Sequence, residues 1–224
     1  MGDKDFRGEP RIAGTELQDR REPRPVVASR VLHEGRVFDL VSERVDLGEA
    51  GEVEREYLRH PGAVAVVALD ADERVALVQQ YRVPVGALAW EIPAGLLDVA
   101  GEDPADAARR ELLEEADLRA ECWDVLVDYW TTPGGSDEAI RIYLARDLSL
   151  VAPEERHERT AEEAGMPTAW VALDEARDAV LAGRVHNPST ALGLLAACAA
   201  RDAGWRTLRP VGDAWPDRPR PGAR

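Results

Sequence analysis

The run "DPADAARRELLEEADL", residues 103–118, decides how the rest of the chain is read. Asp103 is a favoured N-cap type, Pro104 suits the first helical position, and the alanine-rich stretch that follows propagates a helix. On that helix Glu111 and Glu115 are i,i+4 neighbours, with Glu114 adjoining them three positions from Glu111. These acids fall in the second half of the helix, where the macrodipole disfavours each by roughly 0.3–1 kcal/mol near the terminus. Arg110 offsets part of this through an i,i+4 pair with Glu114, worth only about 0.3–0.5 kcal/mol. Two readings remain: a solvated acidic face, or a platform for a divalent cation, since hard cations take carboxylate oxygens.

The 224 residues suit one large domain, or one domain with an appended module. Hydrophobic content of 45% with 32% charged residues is ordinary globular composition. A formal charge of −15 argues against a nucleic-acid partner, which calls for a basic surface. Cys122 and Cys198 are isolated and form no CxxC pattern, so neither a zinc site nor a disulfide framework is expected. The N-terminal residues lack the apolar core of a signal peptide and no run of eighteen apolar residues occurs, so the expectation is a cytoplasmic protein without a membrane partner.

Residues 1–25 are charged and rich in Arg, Glu and Pro without an apolar period, and the closing "DAWPDRPRPGAR" is similar; disorder is expected in both. Residues 26–60 read as an antiparallel strand subdomain, with "LGEAGE" as a hairpin connection. "AVAVVALD" is a continuous apolar run fit for a buried strand, and "RVALVQQYR" follows it after a turn. Beyond the acidic helix come strands at "CWDVLVDYW", "EAIRIYLARDL" and "TAWVAL", a helical "DEARDAVLAG", and a long apolar helix beginning near Ser189. The order implies an α+β fold over residues 61–205, followed by a tail at 206–224.

Gly95, six residues, Glu102, seven residues and then "RELLEEADL" from Arg110 resemble the Nudix box. The usual pattern has five residues between the glycine and the first glutamate, and a glycine where this chain has Asp117. An added loop residue is thermodynamically tolerated, and Asp is among the few non-glycine residues that visit the left-handed region at a helix end. "PAGLLD" before the box and "TPGGSDE" after it, with Pro133 sixteen residues beyond Asp117, are similar to the ADP-ribose pyrophosphatase branch of that family.

The resemblance implies a Nudix fold, a mixed sheet sandwiched by helices, and Mg²⁺-dependent hydrolysis of ADP-ribose to AMP and ribose 5-phosphate, with Mn²⁺ as an alternative metal. Glu111 and Glu115 are then direct metal ligands, Glu114 a secondary one, and the carbonyl of Ala94 a further oxygen. Glu102 is either a supporting ligand or a loop anchor, and Arg110 orients the glutamates. The base for the attacking water is expected in "EERHERTAEEAG", Glu162 first and Glu163 second. Arg82 is expected at the diphosphate, Glu91 and Ser136 at the substrate, and Arg55 at a nucleotide bound by a neighbouring subunit. In this branch the N-terminal strands exchange between subunits, which makes a homodimer the expected assembly. The rival readings are the same chemistry on another nucleoside diphosphate sugar or a dinucleotide, and a catalytically silent nucleotide sensor.

Overall fold

The computed structural model describes residues 13–157 and 165–219. They fall into two compact units, one drawn from residues 1–30 and 42–55, the other from 31–41 and 56–224. Strands β1 (Val26–Glu34), β2 (Asp39–Asp46) and β3 (Glu52–Arg59) form a three-stranded sheet in the order β1-β2-β3. The expected hairpin is present between β2 and β3. It needs left-handed backbone at Gly48 and Gly51, where φ is 71° and 81°, and Leu47 N–H closes it on the Gly51 carbonyl at 2.9 Å. Every residue of β1 is exposed, Val26, Val27 and Val31 included.

The larger unit is organised by β4 (Ala63–Ala68), all six residues of which are buried. It lies inside a five-stranded sheet of order β11-β8-β9-β4-β7, with β11 at Arg209–Pro210 and β8 at Leu118–Trp130, parallel to β9 (Ala139–Leu150) and antiparallel to β7 (Ala94–Leu96). Because side chains alternate along a strand, β4 feeds two cores. Val64, Val66 and Ala68 pack with Tyr143 and with Ala107, Ala108 and Leu112 of α1 (Pro104–Ala116). Ala65 and Val67 pack with Ile92, Ile142 and Leu144, and with Leu194 and Ala197 of α3 (Pro188–Asp202). On this second side lies the sheet β10-β5-β6, built from Thr168–Ala172, Arg74–Arg82 and Ala87–Glu91, and α2 (Leu173–Leu181) follows β10. The apolar run that could not show a period is thus the strand with helices on both faces. Among the described residues no helix is long and apolar enough to cross a membrane.

Local signals set the helix ends. The Asp103 carboxylate accepts the Ala105 N–H at 2.9 Å, and Pro104 opens α1 as expected. At the other end Asp117 is left-handed, φ 55° and ψ 37°, and its N–H returns to the Leu113 carbonyl at 3.1 Å. The Asn187 side chain caps α3 by accepting the Thr190 N–H at 2.9 Å, so that helix begins at Pro188, one residue before the expected start.

Within the closing segment, residues 213–219 differ from the expectation of disorder, while 220–224 lie outside the described residues. β11 (Arg209–Pro210) pairs antiparallel with β8 (Leu118–Trp130), and the described chain continues to a buried Pro219. Arg141, only 2% exposed, explains why. Its guanidinium makes a bidentate pair with Asp128 at 2.8 and 2.9 Å, and it donates to the carbonyls of Asp213 at 2.7 Å and Ala214 at 3.1 Å. The Trp215 ring lies against it, 4.9 Å from centroid to guanidinium carbon. A buried cation satisfied by backbone carbonyls holds the segment, and such bonding leaves no apolar period in the sequence. At the N-terminal end, residues 1–12 lie outside the described residues, and 17–25 form no helix or strand.

The left-handed cap yields a stability expectation. Asp117→Val should cost about 1–2 kcal/mol, because a β-branched residue is strained there, whereas Asp117→Gly should change stability little. Urea denaturation midpoints check this.

Candidate active site

β7 is an edge strand, and its ladder with β4 fixes which backbone groups face outward. The Pro93 carbonyl accepts from Val66 N–H at 2.8 Å and Leu97 N–H donates to Gly62 at 3.0 Å, with Gly95 opposite Val64 between them. Antiparallel pairs alternate, so Ala94 turns both its N–H and its C=O toward the open edge. There the N–H donates to Glu115 at 2.9 Å. Glu111, one helical turn earlier, lies over Gly95 so closely that a Cβ on that glycine would overlap the carboxyl group. The two carboxylates therefore converge on the Ala94–Gly95 edge, beside the Ala94 carbonyl.

Arg110 ties the neighbouring acids together. It meets both oxygens of Glu102, at 3.0 and 3.1 Å, and reaches Glu111 at 2.6 Å and Glu114 at 3.2 Å. The hydrogen bond with Glu102, reinforced by the charge of Glu111, raises its proton affinity far above the ordinary arginine value, so it stays charged. The i,i+4 contact with Glu114 follows from helical spacing; the two-pronged hold on Glu102 depends on how the loop before α1 folds back. Glu115 is 6% exposed. One guanidinium among four carboxylates leaves a net negative platform, all of whose donors are oxygen. That set fits a hard divalent cation, which needs few protein ligands and keeps several waters. Among the described residues no three His, Cys, Asp or Glu side chains stand as a ready metal-binding group.

The residues expected at the substrate are arranged less simply. Arg82 at the end of β5 and Glu91 at the end of β6 face each other in a bidentate pair, at 2.8 and 2.6 Å, with Glu91 buried. The pair stands at one side of a cavity of about 550 Å³ lined also by Leu88, Trp90, Arg184 and His186. Trp90 packs on the core as well as lining this cavity. Arg184 and His186 were not singled out from the sequence, since "GRVHNP" carries no periodic or motif signal. The Ser136 hydroxyl donates to the Leu58 carbonyl at 3.2 Å and accepts from Glu138 N–H at 3.1 Å. Asp137 accepts the His60 N–H at 2.7 Å, and burial raises its proton affinity. "TPGGSDE" thus holds the end of β3, with Pro133 inside a turn closed by Gly135 N–H on the Thr132 carbonyl at 2.8 Å. Arg55, in β3, donates to the carbonyl of Glu54 at 2.9 Å. Glu162 and Glu163 lie outside the described residues.

Comparison with known proteins bears on this arrangement. The NUDIX domain family matches residues 59–190. An ADP-ribose pyrophosphatase of Mycobacterium tuberculosis is 45% identical over 86% of this chain and 91% of its own length. A CMP-5'-(N-acetyl-N-hydroxy-3-aminopropyl)phosphonate hydrolase of Streptomyces rubellomurinus is 36% identical over 75% of this chain and 78% of its own length. The crystal structure of an ADP compounds hydrolase superposes with a TM-score of 0.67, covering 85% of this chain and all of that one, at 20% identity, which speaks to the fold. With its edge-strand glycine, its acidic helix and relatives of this similarity along most of its length, the chain belongs to the Nudix family.

Proposed function

We propose that this chain hydrolyses the diphosphate bond of ADP-ribose with Mg²⁺, or Mn²⁺ in its place, giving AMP and ribose 5-phosphate. The observation that carries the chemistry is the convergence of Glu111 and Glu115 on the outward-facing Ala94–Gly95 backbone. The substrate rests on the Mycobacterium relative, similar to this chain over most of both lengths. A bound divalent cation would activate water and withdraw charge from the phosphates. Glu111, Glu115 and the Ala94 carbonyl would hold it, Glu114 would support it, and Arg110 would keep the carboxylates aimed. Glu162, with Glu163 as the alternative, would take the proton of the attacking water. Water's oxygen joins one phosphorus as the bridging P–O bond breaks.

Arg82 would reach a phosphate by loosening its pair with Glu91, an exchange of one anion for another. Glu91 and Ser136 would then border the sugar, and Arg55 would serve a nucleotide on a partner copy. The uncovered apolar residues of β1 support a homodimer, because a nine-residue strand with Val26, Val27 and Val31 in water gains by being covered. A monomer mass in sedimentation equilibrium would remove that part of the reading. The Streptomyces relative favours a second reading, the same hydrolysis on a different nucleotide conjugate.

A panel of nucleoside diphosphate sugars, dinucleotides and CMP conjugates assayed with Mg²⁺ separates the two, with ADP-ribose expected to give the highest kcat/KM; strong preference for another conjugate would sink the substrate. Glu115→Gln should lower turnover by at least about 10²-fold with the fold retained, and Gly95→Ala should weaken metal binding by about 10–100-fold by displacing Glu111. Calorimetric Mg²⁺ titration and circular dichroism read both variants. Glu162→Gln should reduce kcat by about 10²–10⁴ with little change in substrate binding; an equal loss in Glu163→Gln alone moves the role.

A further inference from the structure

The loop between β7 and α1 is one residue longer than the usual box spacing, and its far end is held by a part of the chain distant in sequence. At its start, Leu97 N–H bonds the carbonyl of Gly62, beside which the Pro219 ring takes the space a Cβ would need. At its end, the Arg218 guanidinium donates to the carbonyl of Glu102 at 3.2 Å. Arg218 and Pro219 are adjacent residues beyond the family-matched span of 59–190.

That segment is firmly seated. β11 extends the sheet beside β8, Arg209 bridges Asp128 and Asp213 at 2.8 Å each, and buried Arg141 binds the carbonyls of Asp213 and Ala214 beneath Trp215. Lifting it would strip a buried guanidinium of two acceptors, which is costly.

We propose that residues 209–219 are a strap that sets the position of Glu102, and that Arg218 is a positioning residue for the metal site. The contacts form one continuous route. Arg218 holds the Glu102 backbone, the Glu102 carboxylate holds Arg110 by two bonds, and Arg110 holds Glu111 and Glu114. A bidentate link transmits displacement because neither group can rotate without breaking a bond. An added loop residue costs little closure entropy, but it frees the loop to wander, and the strap takes that freedom away. The inference rests on the metal reading of the carboxylates given above.

Mn²⁺ binding to the full chain, followed by electron paramagnetic resonance without substrate, tests it. Arg218→Ala should weaken Mn²⁺ binding about tenfold, as partners behind a ligand do, with the metal-free melting temperature unchanged and kcat recovered at saturating Mg²⁺. Arg218→Lys, which keeps a donor, should restore part of the affinity. Unchanged Mn²⁺ affinity in Arg218→Ala, or a loss that merely follows a lowered melting temperature, would overturn the proposal. Wild-type protein that binds no Mn²⁺ would overturn the metal site itself, a result distinct from a working site indifferent to Arg218.

Discussion

The site depends on an electrostatic imbalance held in place by a rigid scaffold. Acids crowded at the C-terminal half of α1 repel one another and oppose the helix dipole, and Arg110, spread over Glu102, Glu111 and Glu114, relieves part of that. The helix tolerates this because its other face is buried: Ala107, Ala108 and Leu112 are sealed against β4 and β9. Apolar burial worth about 25 cal/mol per Å² outweighs the roughly 0.3–1 kcal/mol that each acid costs. The remaining repulsion is therefore carried by the packing of the helix's other face.

The second requirement is geometric. Had β7 been an interior strand, the outward groups of Ala94 would have belonged to a neighbouring strand's ladder. As the edge of the sheet it offers them to α1 instead, and the absent side chain of Gly95 lets Glu111 approach the backbone. The parallel pairing of β4 with β9 and its antiparallel pairing with β7 bring together segments some eighty residues apart, 63–68 with 139–145.

What was legible in the sequence follows from range. Capping by Asp103, the proline at the helix start and the left-handed Asp117 are decided within a few residues, and all three stand as read. Strand β5 coincides with "RVALVQQYR", bounded by turn residues on one side. Long-range polar bonding was not legible. The pairing of Arg82 with Glu91 depends on a hairpin whose register sets Arg82 opposite Ala87 and Glu91 opposite Val78, so that the two side chains meet along one face of the ladder. The seating of the C-terminal segment depends on one buried arginine finding carbonyls more than seventy residues away, in a stretch whose composition resembles that of a disordered tail. Charge and proline content describe such a stretch without revealing what it is bonded to.

The hydrogen bond from Ala94 N–H to Glu115 has a consequence in entropy. A glutamate side chain free in water gives up about 1.5–2 kcal/mol of rotamer entropy when fixed. In this chain that loss is taken during folding, since the Ala94 amide already fixes one oxygen of the buried Glu115 carboxylate. A carboxylate has lone pairs enough for both an amide and a further partner. The ordering of that side chain therefore belongs to the stability of the fold, and any partner the carboxylate takes up finds it already fixed.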